Sequence, residues 1–333
     1  MKKFILLLAI SSFAFTSCYD DYLIDYDTQA VGFANHTDVR SVIVGEGMKF
    51  STGVALGGVI NNEADRVISY EIDESLVNDE TLNALKTHSL GYITSLFGDI
   101  DELHMLPEEE YNLKNSGGQP GKTVIRAGSH LGTIEIQVDS TAFLNGSASL
   151  VPDHVIPFRI TDTGSDDLQI MAGYETTVIA VRYENMLFGN YWHGGEAEVV
   201  SPSGESRTVT YDLEVPQSDN MVWTLTTDSP YSLTANAIAN ELNGSAAQMR
   251  LTLDCATGKI TVSSVDGAPY QVEPDGDSYY NMARLLQDRE IHLSYKFTDE
   301  NGDTWHCKDV LQFRNRVRDG VNEWQDENPE HYN

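Results

Sequence analysis

The chain has 333 residues, with 51 acidic side chains against 21 basic ones and a formal charge of −30. That charge repels nucleic-acid phosphates and anionic headgroups, which excludes nucleic acid as a partner and a basic patch as the means of membrane contact. A hydrophobic content of 41% suffices for packed cores, and the length exceeds what one core usually holds, so two domains are expected and disorder is not.

Residues 1–17 have the layout of a secretory signal peptide: Lys2 and Lys3, an apolar run from Phe4 to Phe15, then a small residue, Ser17, before Cys18. The apolar run is too short for a transmembrane helix, which needs roughly 20 residues. The placement of Cys18 resembles a bacterial lipobox, with Phe15 where Leu is usual. The resemblance implies cleavage before Cys18, acylation of that residue and a membrane held through lipid. Residues 18–29 then form an acidic tether, in which Asp20, Asp21, Asp25 and Asp27 occur without a base. Acidic residues close behind a lipid-bearing cysteine resemble the signal that sends Bacteroidetes lipoproteins to the outer leaflet of the outer membrane. The expected localisation is therefore the outer membrane, exposed on the cell surface.

Residues 30–182 read as short strands bounded by Gly, Asn, Asp and Pro, among them Val67–Ile72, Thr133–Val138, Val155–Ile160 and Thr176–Val181. Spacing of this kind predicts an antiparallel β-sandwich of immunoglobulin type. Asp79 to Phe97 breaks the pattern: Leu82, Leu85, Ile93, Leu96 and Phe97 predict one or two helices packed on the sandwich, with Asp79 as N-cap.

Residues 183–333 continue with strands joined by hairpin turns at Pro202-Ser203-Gly204, Ala256-Thr257-Gly258 and Asp299 to Asp303. About seven strands in up-and-down order predict an antiparallel meander or open barrel, with one short helix over Tyr279–Gln287. The fold class is thus all-β with minor helices. Cys255 and Cys307 lie in strand-like segments that would meet an oxidising compartment; they either form one disulfide or stay as two buried thiols, and their positions leave both open. No Cys/His spacing suits a metal, and no cofactor is expected.

The segment Leu106-Pro107-Glu108-Glu109-Glu110-Tyr111-Asn112-Leu113 resembles the LP-x-x-x-Y-x-L stretch of an N-terminal domain found in Bacteroidetes surface lipoproteins, domain of unknown function 1735. Ile125 to Gly128 and His154 to Ile160 match the same pattern. Phe188-Gly189-Asn190-Tyr191-Trp192-His193-Gly194-Gly195 and Phe313 to Trp324 resemble its C-terminal partner, domain of unknown function 4361. The likeness covers nearly the whole mature chain. It implies a place beside nutrient-uptake systems of the starch-utilisation type, with a polysaccharide or oligosaccharide as ligand and an outer-membrane uptake receptor as partner. It transfers no catalytic residue.

Reactive motifs are missing. Gly-x-Ser-x-Gly, His-Glu-x-x-His, P-loop and dinucleotide glycine patterns are all absent, and Ser203-Gly204 lies in a hairpin turn. Glu108-Glu109-Glu110 reads as a solvated charge run. Asp299, Asn301 and Asp303 alternate like the start of a calcium loop, but the twelfth position is Val310, so a hairpin turn is the better account. Aromatic residues remain, because sugars stack their C–H faces on Trp and Tyr. Tyr191, Trp192, His193, Trp305 and Trp324 are the candidate glycan contacts, with Tyr279-Tyr280 behind them and Trp223 assigned to the core. Strand alternation puts Tyr191 and His193 on one face and Trp192 on the other, one of those faces being core. The expectation is a non-enzymatic glycan-binding accessory of an uptake system. A structural or adhesive surface protein is the alternative, and a glycoside hydrolase the more distant one.

Overall fold

The computed structural model describes residues 25–115, 119–211, 213, 219–239, 242–243 and 247–326. The expected signal peptide and Cys18 lie outside these residues, as does the tether before Asp25. Among the described residues the fold is all-β with a few short helices, and no helix is long and apolar enough to cross a membrane.

The first eleven strands are β1 (Gln29–Phe33), β2 (Thr37–Val44), β3 (Lys49–Gly57), β4 (Arg66–Ile72), β5 (His104–Met105), β6 (Tyr111–Asn115), β7 (Lys122–Ile125), β8 (Leu131–Val138), β9 (His154–Asp162), β10 (Leu168–Ile170) and β11 (Thr176–Asn185). They form a five-stranded sheet in the order β10-β1-β3-β8-β6 and a six-stranded one in the order β2-β11-β9-β4-β7, with β5 added to β9. The two sheets share one apolar core built from Phe33, Val54, Ile68, Ile134, Ile136, Phe158 and Ile179. The pairing corrects the expectation of a purely antiparallel sandwich, because β1 with β10, β2 with β11 and β5 with β9 run parallel.

The run Thr177-Val178-Ile179-Ala180-Val181 is apolar on both faces because both faces are covered. Ile179 and Val181 point into the sandwich, whereas Val178 and Ala180 meet α1 (Asp79–Lys86) and α2 (Gly91–Phe97). Leu85, Ile93 and Phe97 close that outer layer, and burying each contributes about 1.5–3 kcal/mol. Both helices stand where the sequence places them. The cap of α1 is Asn78 instead of Asp79: its Oδ1 accepts the Thr81 N–H at 3.0 Å. A third short helix, α3 (Ser140–Asn145), is capped by Asp139.

The remaining strands are β12 (Gly189–Val200), β13 (Ser206–Tyr211), β14 (Val222–Ser229), β15 (Ser232–Ala235), β16 (Ala237–Ile238), β17 (Leu242–Asn243), β18 (Met249–Leu253), β19 (Lys259–Ser264), β20 (Glu273–Pro274), β21 (Ser278–Tyr280), β22 (Glu290–Thr298), β23 (Thr304–Arg318) and β24 (Val321–Glu323). The sequential order β12-β14-β15-β18-β19-β21-β22-β23 returns to its start, since β12 pairs with β23 from Asn190↔Asn315 to Val200↔Thr304. The barrel is therefore closed, not open. Closure works because β12 is long enough to share one edge between β14 and β13 while β23 takes the whole of the other. It also removes the unpaired edges that an open meander would expose. Gly189 permits the junction: at φ +135° it sits where a Cβ would come within 2.9 Å of Arg316 Cβ and Asn315 O.

The helix expected over Tyr279–Gln287 is not formed. Ser278–Tyr280 is strand β21, Met282 adopts φ +58°, and only a turn of 3₁₀ helix follows at Leu286–Asp288. A left-handed residue at Met282 cannot continue an α-helix.

Candidate functional site

Barrel closure decides which aromatic residues face solvent. Tyr191 is fully buried, and its hydroxyl donates to the Leu187 carbonyl at 3.0 Å. Trp305 is buried as well, stacked on Phe297, with its Nε1–H donated to Asp299 Oδ2 at 3.0 Å. His193 lies inside the barrel, parallel to the Trp223 ring at 4.3 Å. These three positions are corrected as glycan contacts: each is an interior residue of a closed barrel, with no face to offer a sugar. Trp223 is core, as expected.

The interior is not wholly apolar. His193 Nε2 stands 3.2 Å from Asp309 Oδ1, and both side chains are fully buried. The Tyr295 hydroxyl donates to Asp309 Oδ2 at 2.6 Å and accepts the Ala239 N–H at 2.7 Å. Burial, then the Asp309 carboxylate, pushes the Tyr295 phenol well above its ordinary range. A His, an Asp and a Tyr in sequence are groups suited to proton transfer. Here they are packed among Trp223, Leu311 and their neighbours, and the arrangement serves to cross-link β12, β22 and β23 from within.

Trp192 and Trp324 have the opposite environment. Trp192 points outward from β12, half-buried, with the Arg314 guanidinium 4.7 Å above its ring. Trp324 follows β24 and is 57% exposed. The two line one groove of about 490 Å³ with Gln287, Glu290, Gln312 and Arg314. Trp324 also lines a second cleft of about 570 Å³, reaching Lys49, Ser51 and Glu135 of the sandwich. The tail beyond Trp324 is tied down: Asp326 accepts the Leu286 N–H at 2.6 Å and donates its own N–H to Gln287 Oε1 at 3.0 Å. Two aromatic rings held on a fixed backbone, beside amides, a carboxylate and a guanidinium, can stack on apolar C–H faces and take up hydroxyl groups.

Beside this groove the two halves of the chain are joined by a cluster that sequence reasoning missed. Glu46, in the turn between β2 and β3, receives both Nη atoms of Arg316 at 2.9 Å and Arg289 Nη2 at 2.7 Å. Arg289 also donates to the Met186 carbonyl, and Arg316 Nε donates to Glu323 Oε2 at 2.5 Å. Both guanidiniums are buried. The hairpin β23–β24 completes the joint: Asp319 and Gly320, both at positive φ, form its two-residue turn, and Asp319 accepts the Ser41 N–H and Oγ–H. Gly320 is required there because a Cβ would fall 2.6 Å from the Tyr92 ring on α2. Much of the Phe313–Trp324 segment is thus a clamp. A Gly45-Glu46-Gly47 turn reads as solvated, and its partners lie more than two hundred residues away, so no local signal announces it.

Other readings resolve within the fold. Of the two alternatives left open for the cysteines, the structure has free thiols: Cys307 lies inside the barrel while Cys255 is half-buried in the turn after β18. Burial, then a neighbouring aspartate, raises both thiols. Glu110 is buried, not solvated, because its carboxylate accepts the Ser147 N–H and Oγ–H at 3.1 Å. Asp299 closes its hairpin by accepting the Asn301 and Asp303 N–H groups, and among the described residues no cluster of His, Cys, Asp and Glu suits a metal.

A family model described as a "-like, N-terminal domain" matches residues 19–167. No curated protein matches the chain. A solved structure of a Bacteroides ovatus protein of unknown function is 20% identical, with a TM-score of 0.60 over 91% of this chain and 99% of its own, so the two share a fold. A Bacteroides ovatus multidomain protein including DUF1735 is 15% identical over 87% of this chain and 96% of its own, at a TM-score of 0.39.

Proposed function

We propose that this chain is a two-domain Bacteroidetes protein with a DUF1735-type N-terminal domain, and that it is a non-enzymatic, lipid-anchored surface protein capturing glycan for an outer-membrane uptake system. The observation that carries this reading is the shared groove of Trp192 and Trp324, the two candidate aromatics left facing outward by barrel closure. Ring faces supply area at low entropic expense, and the surrounding amides and charged groups orient a ligand rich in hydroxyls. The groove holds Asp288 and Glu290, and both carboxylate oxygens of Glu290 are engaged, by His292 Nε2 at 2.6 Å and by Gln312 Nε2 at 3.2 Å. The function is capture, not cleavage.

Affinity electrophoresis of the purified chain through gels containing plant, host and microbial polysaccharides tests the reading. At least one polymer should retard the protein, and Trp324→Ala should weaken that retention about tenfold, a loss of roughly 1.4 kcal/mol. Mobility unchanged in every gel overturns it. The anchor is tested separately: Cys18→Ala should abolish labelling by radioactive palmitate and move the protein out of the membrane fraction, whereas persistent labelling refutes lipidation at Cys18.

A further inference from the structure

We infer that the outer face of the barrel takes a length of neutral polysaccharide chain, bound along several sugar units, and not a terminal or free sugar. The inference rests on the glycan reading and specifies its ligand. In β12, β21, β22 and β23 the buried residues alternate with outward ones, so Tyr279, His292, Glu290, Gln312 and Trp192 all project from the same outer surface. Strand register places them in a line. Trp192 is paired with Gln312, Gln312 with Glu290, and Tyr279 with His292, two residues along β22 from Glu290.

The line is internally braced. His292 Nε2 lies 2.6 Å from Glu290 Oε1, and Gln312 Nε2 donates to Glu290 Oε2 at 3.2 Å. Tyr279 stacks on His292 with ring centroids 4.7 Å apart and remains 44% exposed. Aromatic rings therefore mark both ends: Trp192 with Trp324 at one, Tyr279 at the other. From β12 to β21 is three strand spacings, and with the offset along β22 the aromatic ends stand roughly 15 Å apart. That separation is longer than one sugar ring, so a single sugar engages one end only. A chain lying across the strands engages both, with its hydroxyls over Glu290 and Gln312.

Charge selects among chains. Asp288 and Glu290 stand in the groove beside Arg314, whose guanidinium is stacked on Trp192, and the whole chain carries −30. A uronic-acid polymer would bring further negative charge to this surface and is repelled, whereas a neutral polymer is not.

The test uses the purified full chain with galactomannan, xyloglucan, mixed-linkage β-glucan and polygalacturonate, followed by two- and six-unit oligosaccharides of whichever polymer binds. Affinity should rise at least tenfold from the two-unit to the six-unit ligand. Tyr279→Ala should remove most of that rise, and Tyr279→Phe should retain it, since the ring face is what counts. Equal affinity for both lengths, an unaffected Tyr279→Ala protein, or selective binding of polygalacturonate overturns this inference but leaves glycan capture standing. Failure of the unaltered protein to bind any polymer, by contrast, overturns capture itself, and this inference with it.

Discussion

Replacing Glu46 by Ala is expected to destabilise the protein by about 3–5 kcal/mol, because it leaves two guanidiniums buried at the joint without their shared counter-charge. Arg316 and Arg289 are both buried to within 2% of full, and Glu46 accepts from each. Glu323 remains on Arg316 Nε, but nothing comparable replaces Glu46 for Arg289. Urea unfolding followed by intrinsic fluorescence should show a lower midpoint, with sandwich and barrel melting separately. Glu46→Gln keeps the shape and part of the hydrogen bonding, so its effect should be smaller. A midpoint for Glu46→Ala within error of the unaltered protein would show that the cluster does not join the halves.

The same variant isolates a pH dependence. Burial alone would raise the Glu46 carboxyl, but Arg289 and Arg316 outweigh it and hold the group below its ordinary 4.5. A carboxylate with a depressed folded pKa contributes stability that is fully present above its unfolded value and fades as pH falls through the folded one. The stability difference between the unaltered protein and Glu46→Gln should therefore hold level from neutral pH to about 5 and shrink as acid is added further. Asp319 acts in the other direction, since burial raises its carboxyl and its share of stability is greatest in acid. Both proteins carry Asp319, so the difference cancels it.

Local patterns made some of this legible and left the rest hidden. Alternation in Thr133–Val138 announced a strand with one buried face, and it forms as read within β8. The same alternation separated Trp192 from Tyr191 and His193, but it could not say which side was core. That answer depends on β12 pairing with β23 across more than a hundred residues, a register no local window contains. Tyr279–Gln287 was misread because apolar spacing suits a helix equally well until Met282 turns left-handed. Glu46 and Glu110 were opaque for one shared reason: each acidic residue sits in a polar turn or run, and only distant contacts reveal that it is buried. The aromatic candidates were thus found as a set by composition, and sorted into core and surface by topology alone.

Asp309→Ala is the second change with a large expected effect, and it tests whether the buried polar group specifies the barrel. Truncation removes the acceptor of the Tyr295 hydroxyl and the carboxylate 3.2 Å from His193 Nε2, in an interior where neither can turn to water. Breaking a buried charged hydrogen-bond set in this way costs about 3–5 kcal/mol, more than the lost contacts of one side chain. Asp309→Asn retains the shape and one acceptor, so it should lose less. Tyr295→Phe should fall between them, because it strands the Ala239 N–H as well as an oxygen of Asp309. The discriminating variant changes both partners: His193→Phe with Asp309→Leu removes the charge and the imidazole together, and it should recover much of the loss, as matched apolar replacement of a buried pair often does. Trp223 fluorescence reports the outcome directly, since its ring is stacked on His193 at 4.3 Å. If Asp309→Ala melts with the unaltered protein, the set contributes nothing to stability. If the double variant is stable but Trp223 loses its fixed environment, the polar group holds the barrel to one packing without adding to its strength.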